Sequence, residues 1–206
     1  MQLATALLLA SPAYAGPLLA TVTTPDGRPL ADAAVVAEPV AGTRHQARHM
    51  VAIEQRNREF IPYLTVIQTG TRVEFPNRDP VKHHVYSFSP AKSFEIKLYS
   101  GKPTQPVLFD KPGEVAVGCN IHDWMEAYIL VVDSPYFAKT GQDGKALLRQ
   151  LPPGEYRLRV WHPRQNAETP RREIRITAAA ARLDMVLDVA PRTPRTKPPV
   201  ETGERY

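Results

Sequence analysis

Apolar residues recur along this chain in short runs, several of them alternating with polar residues, and Asp-Gly, Pro-Gly and Ser-Gly pairs separate the runs. A period of two bounded by turn dipeptides predicts β-strands rather than helices. The clearest case is Tyr156-Arg157-Leu158-Arg159-Val160-Trp161, which puts Tyr156, Leu158 and Val160 on one face and arginines on the other. Upstream, Leu18 to Val22 and Ala33 to Ala37 flank Pro25-Asp26-Gly27-Arg28-Pro29, where Asp-Gly tolerates the positive φ of a tight turn. Further strand-like runs are Met50 to Ile53, Tyr63 to Ile67, Arg72 to Phe75, His83 to Phe88, Phe94 to Leu98, Val107 to Phe109, Val115 to Val117 and Tyr128 to Val132. Runs at that spacing predict a Greek-key sandwich or barrel. Two more strands are expected from Arg172 to Thr177 and from Arg182 to Val189.

Composition narrows the class. With 206 residues and 43% hydrophobic content the chain can bury a core in one domain or two small ones. Its 21 prolines argue against long helices, which removes helical bundles and nucleotide-binding α/β folds. No apolar run approaches the roughly 18 residues of a membrane span. At the N-terminus, Leu3 to Ala10 is a short apolar stretch followed by Ser11-Pro12 and the small-x-small series Ala13-Tyr14-Ala15. Residues 1–15 are therefore read as a secretory signal peptide, although no Lys or Arg precedes the apolar stretch, and the mature chain is expected in the periplasm. Residues 190–206, rich in proline and nearly free of apolar side chains, are expected to form a disordered tail.

Charge does not point to nucleic acid. The net charge is +5, but residues 43–133 hold 11 basic and 10 acidic residues, so the excess lies in the C-terminal third, spread along strands and tail. A solvated basic surface accounts for it. Gly-rich phosphate loops, Ser-His-Asp elbows and paired-carboxylate motifs are absent, which favours a protein that is not an enzyme. His45 and His49 have the spacing of a zinc-protease motif without its glutamate, and read as a solvated connector. His162, beside Trp161 and Pro163, reads as a strand-end residue.

The chemistry concentrates in Cys119-Asn120-Ile121-His122-Asp123-Trp124-Met125. An exported protein usually spends cysteines in pairs, so the single Cys119 calls for another use. C-x-x-H-x-x-M places a thiolate, an imidazole and a thioether at intervals of three in one loop between strands. Soft sulfur with imidazole selects copper, and two histidines, one cysteine and a weak axial methionine form the blue-copper set. A second histidine is needed from elsewhere in the fold, and Pro76-Asn77-Arg78-Asp79-Pro80-Val81-Lys82-His83-His84-Val85 offers it. Strand parity leaves His83 and His84 both open, because apolar neighbours lie on both faces.

Phe75 to Val85, together with Gly118-Cys119 and the C-x-x-H-x-x-M loop, resembles a cupredoxin, with the loop spacing of amicyanin among plastocyanin-like proteins. The family's Asn-x-(Asp/Glu)-x-x-x-His-Asn-Val stretch falls on Asn77, Asp79, His83 and Val85, with His84 where the family usually has Asn. The resemblance implies His83 as first ligand, with a swap to His84 left open. A second resemblance concerns the flanks. Pro25 to Val35, with Gln142-Asp143-Gly144-Lys145-Ala146 and Leu151-Pro152-Pro153-Gly154-Glu155-Tyr156-Arg157-Leu158, is similar to the carboxypeptidase regulatory-like, transthyretin-like β-sandwich. Residues 16–42 and 135–189 are thus expected to form one discontinuous sandwich, interrupted by a cupredoxin domain at 43–134. A simple run of consecutive domains is the alternative. Proteins combining such pieces are often labelled methylamine utilisation proteins.

The resemblance implies one type 1 copper ion held by His83, Cys119 and His122 in a near-trigonal plane, with Met125 as a long axial contact. Such a site leaves no ligand position for a substrate, so it implies one-electron transfer by a monomer to and from a redox partner such as a cytochrome or dehydrogenase. Two other functions stay open: a periplasmic copper carrier or sensor using the same ligands, and an interaction module with a degraded metal site.

Overall fold

The computed structural model describes residues 16–42, 49–103, 105–168 and 171–191. The expected signal peptide, His45 and most of the proline-rich tail lie outside the described residues. The described chain is all-β, a multi-sheet sandwich. It opens with β1 (Gly16–Thr23) and β2 (Ala34–Pro39). Ten strands follow: β3 (Met50–Ala52), β4 (Glu54–Arg56), β5 (Glu59–Ile61), β6 (Leu64–Gln68), β7 (Thr71–Glu74), β8 (His83–Ser89), β9 (Lys92–Tyr99), β10 (Val107–Phe109), β11 (Gly113–Gly118) and β12 (Glu126–Val132). The last five are β13 (Tyr136–Lys139), β14 (Lys145–Leu151), β15 (Gly154–Trp161), β16 (Arg172–Ile176) and β17 (Ala181–Val186).

Pairing sorts these strands into two groups. The central strands form sheets β10-β7-β3 and β6-β12-β11-β8-β9 with the small hairpin β4-β5, while the outer strands form β14-β1-β17 and β13-β2-β15-β16. Each group encloses its own core. Ile67, Val73, Phe75, Val85, Phe109, Val117 and Ile129 are buried together in the central one, and Leu18, Val22, Val35, Leu148, Leu158 and Leu183 in the outer one.

Two strands serve a third cluster as well. In β2, Val35 and Ala37 face the outer core while Ala34 and Val36 face the opposite way. In β12, Ala127, Ile129 and Val131 face the central core while Leu130 and Val132 turn outward. Ala34, Val36, Leu64, Leu130, Val132 and Trp161 then bury one another between the two sandwiches. This explains why these two strands read as nearly unbroken apolar runs: a strand covered on both faces has no polar side to alternate with. Polar contacts reinforce the junction. Ser134 donates from Oγ to the Ala37 carbonyl at 2.5 Å, Lys139 Nζ to the Leu64 carbonyl at 3.2 Å, and Arg159 Nη2 to Glu114 at 3.1 Å.

The patterning does not announce three of the strands. The β4-β5 hairpin, Glu54-Gln55-Arg56-Asn57-Arg58-Glu59-Phe60-Ile61, is mostly polar and too short to show a period. β13 follows the Asp133-Ser134-Pro135 turn and pairs antiparallel with β2 from Tyr136 opposite Ala37 to Lys139 opposite Ala34.

His162 follows directly after β15 and is 1% exposed. Its Nδ1 accepts the Arg164 N–H at 3.1 Å, and its own N–H donates to Gln165 Oε1 at 3.1 Å. Burial, and then the Arg164 charge, hold the imidazole down at about 4, against the pull of Asp32. The unfolded chain takes up this proton near pH 6.5, so unfolding is favoured by acid throughout the window from 6.5 to about 4. Stability is full above that window and falls by about 3 kcal/mol across it. Urea unfolding of the native chain between pH 7 and 4 should show this slope, and His162→Gln should flatten it; equal slopes in both proteins would refute the assignment.

Candidate metal centre

The site lies at the end of the central sandwich where β8 begins and β11 gives way to the loop leading into β12. Gly118 pairs across to Tyr86 on β8. A Cβ on Gly118 would stand 3.0 Å from the Tyr86 ring, so a larger residue here would have to push that ring aside by a few tenths of an ångström. Cys119 follows at once and is 3% exposed, packed in the central core with Val117 and Met125. The loop then turns back on itself through a Met125 N–H to His122 carbonyl bond of 2.9 Å. That turn brings His122 under Cys119.

His83 enters from the first position of β8 and is fully buried. Its Nδ1 lies 3.1 Å from His122 Nδ1 and 4.0 Å from Cys119 Sγ, and Cys119 Sγ lies 3.6 Å from His122 Nδ1. A triangle of 3.1, 3.6 and 4.0 Å has a circumradius of about 2.1 Å, close to a metal–nitrogen bond of about 2.0–2.1 Å and a little under a metal–sulfur bond of about 2.3 Å. Two imidazole nitrogens and a sulfur are therefore spaced as donors around one ion. Among the described residues, this is where His, Cys, Asp and Glu ligand atoms cluster as a metal would require. The thiolate–imidazole chemistry of the set fits a soft, nitrogen-tolerant metal such as copper.

The two candidate histidines of β8 separate cleanly. His83 turns inward with Val85, whereas His84 turns to the opposite face, its Nε2 2.9 Å from Glu95 Oε1 on β9 and its ring 5.6 Å from that of Tyr86. Met125 is 2% exposed and packs in the same buried cluster as Cys119.

Around the donors lies a shell of hydrogen bonds. His83 Nε2 is 2.7 Å from Asp79 Oδ2, and the Asp79 N–H donates to Asn77 Oδ1 at 2.8 Å. Asn77 in turn donates from Nδ2 to the carbonyls of Val81 at 2.8 Å and Tyr99 at 3.1 Å, which shapes the loop ahead of β8. Beneath it, Tyr99 donates to the Phe75 carbonyl at 2.6 Å and accepts from Gln55. Burial pushes the Tyr99 phenol up to about 12, against the Gln55 bond. Burial is also the main cause lowering both His83 and His122; for His83 it outweighs the pull of Asp79. Both imidazoles are thereby kept neutral, as a metal ligand must be. Trp124 packs beside His122, ring centroids 5.2 Å apart and planes inclined by 60°, and donates from Nε1 to the Arg58 carbonyl at 3.1 Å.

Sequence reasoning missed the β4-β5 hairpin, whose turn residues Asn57 and Arg58 donate their N–H groups to Asp79. Both residues have positive φ, 57° and 56°, without the Asn-Gly signature that would mark such a turn.

No protein-family model matches the chain, and no curated protein matches it. Among solved structures, the copper-containing nitrite reductase NirK from Thermus scotoductus SA-01 aligns at 26% identity over 46% of this chain and 25% of that chain, with a TM-score of 0.38. A purple cupredoxin from Nitrosopumilus maritimus aligns at 20% identity over 39% of this chain and 98% of that chain, with a TM-score of 0.35. Pseudoazurin from Methylobacterium extorquens AM1 aligns at 25% identity over 41% of this chain and 76% of that chain, also with a TM-score of 0.35. This chain thus spans about a quarter of the length of the nitrite reductase, and each alignment covers less than half of this chain.

Proposed function

We infer that this chain is an exported blue-copper protein that carries single electrons between redox partner proteins, such as a cytochrome or a dehydrogenase. The observation that supports this is the buried triangle of His83 Nδ1, His122 Nδ1 and Cys119 Sγ, sized for one ion. Copper would supply one-electron chemistry by alternating between its two common oxidation states. His83, Cys119 and His122 would hold it, and Met125, buried in the same cluster as Cys119, would be a further, weak donor. The chain's part is to keep this geometry fixed. His83 is anchored at the start of a paired strand, Cys119 directly follows another, and the His122–Met125 turn closes the loop between them. Donors held this way cannot rearrange much when the charge at the site changes, and that favours rapid electron transfer. His122 is half-buried, so its outer edge is the natural exit toward a partner, with the exposed Ile61 and Ile121 and the half-buried Trp124 as apolar surface on nearby segments.

The test is to add Cu(II) to the purified protein and record its visible spectrum. An intense cysteine-to-copper charge-transfer band, reversibly bleached by a one-electron reductant, is the expected result. Tight but readily exchanged Cu(I) with no such band would instead make the protein a copper carrier, and no copper uptake at all would leave an interaction module.

A further inference from the structure

The Asp79 side chain is 7% exposed and carries three hydrogen bonds. Oδ1 accepts the Asn57 N–H at 2.6 Å; Oδ2 accepts the Arg58 N–H at 2.8 Å and lies 2.7 Å from His83 Nε2. An ionised carboxylate can only accept, and a neutral imidazole has one N–H. The proton of His83 therefore sits on Nε2, and the Nδ1 lone pair faces Cys119 and His122. Both Asp79 oxygens already accept backbone N–H groups, so the side chain meets the ring as an acceptor.

The turn that supplies two of these bonds has an unusual backbone. Asn57 and Arg58 both adopt left-handed φ, which aims their consecutive N–H groups at one carboxylate. The Arg58 carbonyl then accepts Trp124 Nε1–H, and Trp124 packs on His122. One two-residue turn thus links the support of His83 to the loop that carries Cys119 and His122.

We propose that Asp79 is the positioning residue of His83, setting its tautomer so that Nδ1 is free to ligate, and that the β4-β5 hairpin holds Asp79 for this task. Without the carboxylate, His83 Nε2–H would be buried with no acceptor, and the Nδ1–H form, donating to His122 Nδ1, would take over. That form must lose or move its proton before Nδ1 can bind an ion. The carboxylate also makes the ring a stronger donor, which favours the more highly charged Cu(II) over Cu(I). The tautomer stands independently of the copper reading; the effects on affinity and potential rest on it.

Nitrogen-15 NMR of the imidazoles in the metal-free protein reads the tautomer directly. The native chain should show His83 protonated at Nε2, and Asp79→Ala should shift it toward Nδ1–H. Asp79→Asn, which keeps the shape but has one carbonyl oxygen for three donors, should shift it in the same direction by less. In the copper-loaded proteins, Asp79→Ala should raise the Cu(II) dissociation constant by about 10- to 100-fold. A tenfold greater loss for Cu(II) than for Cu(I) would appear as a reduction potential about 59 mV higher. A native His83 protonated at Nδ1, or an Asp79→Asn protein with native tautomer, Cu(II) affinity and potential, would overturn the proposal. A native chain that takes up no copper would overturn the electron-carrier reading, while the metal-free spectra would still decide the role of Asp79.

Discussion

Cys119→Ser is expected to abolish the visible charge-transfer band completely while leaving the chain folded. The band requires a thiolate, and a serine hydroxyl is neither soft nor ionised at neutral pH. Four-ligand metal sites in small proteins are worth about 10–16 kcal/mol in all, so losing one strong donor should weaken copper binding by roughly a hundred- to a thousandfold. The cost to the metal-free fold should be small, about 1 kcal/mol, because the new hydroxyl lies in a buried pocket but beside the Nδ1 atoms of His83 and His122, which can partner it. Visible spectroscopy with competitive copper titration checks the first point and urea unfolding the second. A Cys119→Ser protein that keeps an intense band would remove the thiolate from the site.

Trp161→Ala should produce the largest loss of stability without touching the metal centre. Trp161 is 4% exposed and packs with Leu64, Leu130 and Val132 between the two sandwiches. Truncating a buried aromatic of this kind costs about 3–5 kcal/mol, which for a chain of this size lowers the melting temperature by roughly 6–20 °C. The copper spectrum should be unchanged, since the donors sit in the central core and not in this cluster. Calorimetry on the metal-free variant, with a spectrum of the loaded one, tests both halves. An unchanged melting temperature would mean that the two sandwiches do not lean on this side chain, and an altered band would mean that the junction reaches the metal site.

The all-β architecture was legible because its strands are punctuated by explicit turn chemistry and because alternation is visible wherever one face meets water, as in β15. The loop Cys119 to Met125 stands out for another reason: a thiol, an imidazole and a thioether follow one another at intervals of three, and the structure brings the first two within 3.6 Å. The choice between His83 and His84 was not open to periodicity. Both are buried, one against the central core and the other beneath Tyr86 and Glu95, so neither face looks polar. Only the resemblance of the surrounding motif favoured His83, and the structure turns that imidazole toward Cys119 and His122. The support around His83 was harder still to read. Asp79 acts through a turn that lies more than twenty residues upstream, with |i−j| of 22 and 21 to its two N–H donors, and that turn uses Asn-Arg where sequence rules look for glycine. Short polar hairpins carry no hydrophobic signal, so their contribution emerges only from the folded backbone.

The strand order also constrains the sequence of events during folding. β1 lies between β14 and β17, and β2 between β13 and β15, so both strands find their sheet partners about a hundred residues or more further along the chain. Ala33 waits for Thr140, 107 residues later, to accept its N–H. The intervening strands, by contrast, pair among themselves and can assemble while the N-terminal ribbon is still single. Closure of the outer layer is therefore the long-range step of folding, and until it happens the apolar faces of β1 and β2 stay uncovered.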